Sequence, residues 1–76
     1  METIDDVFEA FGGTRKTADA LSVKPSTASE MRRRASIPVK YWPQLIQAAK
    51  VNHIRGLSND SLVRLHTGPY NERQHL

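Results

Sequence analysis

The sequence predicts an all-α fold, a compact bundle of about five short helices, and three observations lead there. Apolar residues recur at helical spacing in successive stretches. Glycine, proline or short hydroxyl-rich segments separate these stretches, and no strand pattern interrupts them. The chain has 76 residues and no cysteine, so it makes one small domain whose core must fold without a disulfide or a thiolate metal site.

The elements follow in order. Thr3 is placed to cap a first helix, with Asp5 and Asp6 at the positive end of its dipole and Ile4, Val7, Phe8 and Phe11 on one apolar face. Gly12 and Gly13 stop it, and its acids fall on the outer face. A second helix runs from about Arg15 to Leu21, capped by Thr14, with Ala18 and Leu21 inward. After a brief turn at Ser22 and Val23, a third helix starts at Pro25, where a missing amide hydrogen costs nothing. Ala28, Met31 and Ala35 share its inner side, opposite Ser26, Glu30 and Arg33.

The segment "IPVKYWPQLIQAAK" places Trp42, Leu45, Ile46 and Ala49 on one stripe. Pro43 would break a helix interior, so the regular helix is expected to begin near Tyr41 or Trp42, after a looser turn at 38–41. A connector carrying Ile54 inward leads to a last helix, capped by Ser58, stapled by Leu57 and Leu62 and joined to the core by Leu65. Gly68 and Pro69 end the domain, expected over 1–67, and leave 68–76 as a flexible tail.

Charge is distributed unevenly. Residues 1–13 carry a net −4 and residues 14–40 a net +5. The basic region is either a solvated face or a surface for a polyanion, whose counterions binding would release. Nothing at the N-terminus resembles a leader, and no stretch approaches the length of a membrane span, so a cytoplasmic protein is expected.

The stretch "TRKTADALSVKPSTASEM" resembles the helix-turn-helix of phage Cro and repressor proteins, with Ala18 where the two helices approach, Val23 plugging the turn, and Ala28 and Met31 inward. The following "RRRASIPVKYWPQLIQAA" resembles the small Cro-like regulators of the carph-isopro type found in bacteria and their prophages. The resemblance spans roughly 4–66 and departs from the pattern at Ser22, where glycine is usual, at Ala28 and at Met31. It implies a lambda-repressor-like fold and a sequence-specific duplex DNA-binding transcriptional regulator, such as a repressor, of phage or mobile-element type.

Roles follow from that resemblance. Lys24, Pro25, Ser26 and Thr27, with Glu30 one turn later and Arg33 on the same face, are expected to read base edges; Glu30 can accept from a cytosine amino group and is the expected discriminator. Thr14, Arg15 and Lys16 at the start of the second helix, with Ser29, Arg32, Arg34 and Lys40, are expected to hold phosphates. A homodimer on DNA is expected, with Leu57, Leu62, Leu65 and Tyr70 its candidate surface unless the monomer core uses them.

Plainer readings stand beside these. Ser26, Thr27 and Ser29 suit any helix start, and Arg32 to Arg34 complement a helix dipole, Arg34 being the expected structural one of the three. Trp42 heads the apolar stripe and belongs to the core. His53, His66 and His75 lack metal-ligand spacing and are expected at solvent-exposed positions. No nucleophile with a nearby base and no acid pair is evident, so neither an enzyme, a cofactor, a metal nor a small-molecule ligand is expected. The alternative function is a helical module that binds a host protein, such as a component of the transcription machinery, through the acidic first helix or the basic third.

Overall fold

The computed structural model describes residues 1–67. Within them lie five α-helices and no strand: α1 (Ile4–Phe11), α2 (Thr14–Leu21), α3 (Pro25–Arg34), α4 (Trp42–Val51) and α5 (Asn59–Thr67), with a 3-10 turn at Val39–Tyr41 leading into α4. The expected tail at 68–76, with Gly68, Pro69, Tyr70 and His75, lies outside the described residues.

Thr3 opens α1 as its position predicts. Its hydroxyl accepts from the Asp6 N–H at 3.1 Å, while the Asp6 carboxylate accepts from the backbone N–H of Glu2 at 2.8 Å and of Thr3 at 3.1 Å. These donors, the Glu2 amide first, hold the Asp6 carboxyl below the ordinary carboxylate value. Ile4, Val7, Phe8 and Phe11 are buried against Ala18 and Leu21 of α2, Ala28 and Met31 of α3, Trp42, Leu45 and Ala49 of α4, and Leu62 of α5.

At the start of α2 the structure differs from the sequence reading. Gly13, not Thr14, is the capping residue, and Thr14 is the first residue of the helix. Gly13 has φ 112 and ψ 177, a backbone region that glycine alone enters without strain. The first turn is closed by Thr17, wholly buried, whose hydroxyl donates to the Gly13 carbonyl at 2.9 Å.

Four helices end by one device. A residue at positive φ sends its own N–H back to the carbonyl three residues earlier, and the next N–H reaches the carbonyl five residues earlier, as in Gly13 to Phe8, Val23 to Ala18, Ser36 to Met31 and Ile54 to Ala49. Glycine does this after α1, but Ser22, Ala35 and His53 do it after α2, α3 and α4 at φ 57, 54 and 59. A side chain in that conformation costs roughly 1–2 kcal/mol. The short links are therefore bought with local strain that the core offsets. Ala35 was expected inward; as the turning residue it is exposed.

Ile37, outside the helices, is buried with the helical core residues and ties three segments together. Its carbonyl accepts from Trp42 Nε1 at 2.8 Å, and its N–H donates to His66 Nε2 at 2.9 Å. His66 Nδ1 lies 2.7 Å from the Leu62 carbonyl, an arrangement that fits Nδ1–H donating there while Nε2 accepts from Ile37. The ring centroid sits 5.3 Å from that of Trp42. The expectation that His66 is a solvent-exposed helix-end residue is thus overturned: it clasps α5 to the chain between α3 and α4. Pro43 occupies the first turn of α4, where no amide hydrogen is needed, and the helix starts at Trp42 for that reason.

Replacing His66 by Phe keeps an aromatic ring beside Trp42 and leaves the Ile37 N–H without its acceptor. Stability in urea denaturation is expected to fall by about 1–3 kcal/mol, the cost of an unpaired buried donor, and His66→Gln is expected to recover part of the loss.

Candidate nucleic-acid interface

The exposed surface of α3 is set by how tightly the chain turns out of α2. Ser22 adopts φ 57 and ψ 42, and its hydroxyl accepts from Gln44 Nε2 of α4 at 3.1 Å, which pins the turn. Val23 folds half-buried onto the core, and Lys24 is extended, as a residue before proline must be. Pro25 then starts α3. Burial of Ala18 and Leu21 against Ala28 and Met31 leaves the opposite side of α3 in solvent.

Every expected base-reading residue lies on that exposed side or at the helix start: Lys24, Pro25, Ser26, Thr27, Glu30 and Arg33. Ser29 and Arg34 are also exposed on α3. Arg15, Lys16 and Lys40 are exposed on α2 and the 3-10 turn, whereas Thr14 is half-buried. A groove of about 310 Å³ beside α3 brings Lys40 and Tyr41 together with Thr27, Glu30, Arg34 and Ser36. Lys40 Nζ stands 5.2 Å from the centroid of the Tyr41 ring. Lys16 faces elsewhere, into a wider groove of about 590 Å³ with Phe11, Ala20, Ala48 and Val51.

The three consecutive arginines are not equivalent. Arg32 turns back to α1, pairing with Asp5 through Nε and with Glu9 through Nη2, both at 2.5 Å, and Nη1 donates to Thr14 Oγ1 at 3.1 Å. Its guanidinium carbon is 5.6 Å from the centroid of the Phe8 ring. The hydrogen bonds to Asp5 and then Glu9 raise its affinity for its proton, and only a quarter of the side chain is exposed. Arg32, rather than Arg34, is therefore the structural arginine of the run. Thr14, a candidate phosphate ligand in the sequence, accepts from Arg32 and keeps its hydroxyl hydrogen to donate.

Arg33 and Arg34 have a partner on their own helix. Glu30 accepts from Arg33 Nη2 at 2.7 Å and Nε at 3.1 Å, and from Arg34 Nε at 3.1 Å. The hydrogen bond from Arg33 leads the effects that hold the Glu30 carboxyl below its ordinary range, and Arg33 is correspondingly harder to deprotonate. Three guanidinium groups thus face three carboxylates, those of Asp5, Glu9 and Glu30. The basic character of this surface rests instead on Arg15, Lys24 and Lys40, none of which has an ion-pair partner among the described residues.

Sequence reasoning missed the clasp by Arg32, although a signal existed: Asp5 and Glu9 are spaced to share one face of α1. It also missed Gln44 on the turn and Ser36 and Tyr41 in the smaller groove. Among the described residues no three His, Asp or Glu side chains gather as a metal site would require, and no helix is long and apolar enough to cross a membrane.

Substituting Arg32 by Gln is expected to lower the melting temperature by more than Arg33→Gln and Arg34→Gln combined, because only Arg32 joins three helices; thermal denaturation followed by circular dichroism checks the order. In comparisons with known proteins, no family model, curated protein or solved structure matches the chain.

Proposed function

We propose that the chain is a sequence-specific duplex DNA-binding regulator of transcription, with α2 and α3 acting as a helix-turn-helix and α3 entering the major groove. The observation that carries this reading is the outer surface of α3: Lys24, Ser26, Thr27 and Glu30 project from a helix whose other side is firmly buried on α2. A surface of short hydroxyls and one carboxylate is poor at burying itself and suited to base edges.

In this reading Ser26 and Thr27 contact bases permissively, Glu30 accepts from a cytosine amino group, and Arg33 reaches a guanine or a nearby phosphate. Arg15 and Lys40 hold the backbone, joined by Ser29 and Arg34, and Lys24 reaches a base edge or an adjacent phosphate; Lys16, which faces the other groove, leaves the set. Arg32 leaves the phosphate-binding set and orients α3 instead, with Thr14 as one of its acceptors. The reading includes no catalytic step, cofactor or metal. It places the protein in the cytoplasm as a repressor-like regulator of phage or mobile-element type, by the resemblance noted above.

Such a module spans one half-site, so a homodimer on DNA belongs to the proposal. Leu62 is fully buried and Leu57 and Leu65 pack partly on the core, which removes much of the expected dimer surface. Val63, about half exposed on α5, remains available.

One observation favours a second reading, a module that binds another protein. The wider groove presents Phe11, Ala20, Ala48 and Val51, and Val51 is 68% exposed. The acidic first helix is a weaker basis for it, since Asp5, Asp6 and Glu9 are all engaged within the fold.

Selection from a random duplex pool at about 150 mM salt, where non-specific attraction is already weakened, is expected to enrich a motif. An inverted repeat with centres about 10 base pairs apart is the expected form. Binding that fades with salt and enriches nothing would turn the search to a protein partner.

A further inference from the structure

Resting on the DNA-binding reading, we propose that Glu30 is an internal gate on the α3 surface: its carboxylate occupies the arginine fork that a DNA phosphate would otherwise take, and so suppresses binding to non-cognate duplex.

The geometry supplies the means. Arg33 offers Glu30 two parallel donors, Nη2 to Oε1 at 2.7 Å and Nε to Oε2 at 3.1 Å, and Arg34 adds Nε to Oε1 at 3.1 Å. A guanidinium presents this same two-donor edge to a carboxylate and to a phosphate. The carboxylate of Glu30 therefore stands where a phosphate oxygen pair would sit. Hydrogen bonding by Arg33 favours its ionised form, so the competitor is present at neutral pH. The remaining arginine of the run is no substitute, being held by Asp5 and Glu9.

The strength of the pairing suits a gate rather than a lock. Half of the Glu30 side chain and about two thirds of each arginine are exposed, and ion pairs in that setting are weak and exchange readily. When phosphate draws Arg33 and Arg34 away, Glu30 is left beside the polyanion without a donor. On non-cognate duplex that repulsion stays uncompensated. Where a cytosine amino group faces the helix, the freed carboxylate gains a donor, and the same exchange becomes favourable. Glu30 then contributes to specificity twice, by contact and by exclusion.

The test compares wild type with Glu30→Gln on a mixed-sequence 20-base-pair duplex across a potassium chloride series. Glutamine keeps the size of the side chain and lies on an exposed helix face; circular dichroism verifies the fold. Affinity for the mixed duplex is expected to rise about tenfold, with a salt slope steeper by about one to two units as Arg33 and Arg34 reach phosphates. Repeating the substitution in an Arg33→Gln, Arg34→Gln background separates a gate from a simple loss of negative charge: there only the smaller gain from relieved repulsion is expected, well below tenfold, with no gain of about one to two units in the salt slope. An unchanged affinity for Glu30→Gln, or an equal gain without the arginines, overturns the gate while leaving the DNA reading intact. If neither wild type nor Glu30→Gln binds any duplex, the DNA reading fails and the gate with it.

Discussion

The guanidinium of Arg32 holds the α3 surface in place. From the last turn of α3 it reaches two carboxylates one helical turn apart on α1 and the hydroxyl of Thr14 at the start of α2, with the Phe8 ring close to its carbon. Donors pointing in three directions from one planar group are what an arginine offers and a lysine does not. Helices of eight to ten residues are too short to be stable alone. The burial of Phe8, Ala18 and Met31 gathers them, and the fork of Arg32 then fixes how the end of α3 sits on the other two.

That fastening alters the electrostatics of the surface. A run of three arginines reads as a concentrated cation, yet its charge is balanced by Asp5, Glu9 and Glu30. What is left for a polyanion is a dispersed set, Lys24 at the helix start with Arg15 and Lys40 around it. Dispersed lysines position a duplex without clamping it, and in the proposed function the hydroxyl and carboxylate groups of α3 decide between sequences.

What was legible in the sequence was local. The apolar face of α1, the proline start of α3, the start of α4 near Trp42 and the all-α class all follow from spacing and from residue types with one strong preference. The exposure of Ser26, Glu30 and Arg33 followed from the same periodicity. What was not legible depended on partners far along the chain. Arg32 meets an acid 27 positions away, and His66 meets a backbone amide 29 positions away, which composition and periodicity do not encode. Ala35 at positive φ was hidden for another reason: alanine gives no warning, and the conformation is imposed by the hydrogen bonds that end α3. Ser22 was foreseeable, because the turn into α3 needs a left-handed residue whatever its side chain.

The central claim is that the exposed side of α3 meets duplex DNA while Arg32 stays within the fold. The most direct measurement is a titration of isotope-labelled protein with duplex DNA followed by nuclear magnetic resonance, including the arginine Nε–H signals. The account predicts shifts concentrated at Lys24 to Thr27, Glu30, Arg33 and Arg34, with smaller ones at Arg15 and Lys40, and an Arg32 Nε–H signal that does not move. Shifts confined to Phe11, Ala20, Ala48 and Val51, or an Arg32 signal that moves with those of Arg33 and Arg34, would contradict it.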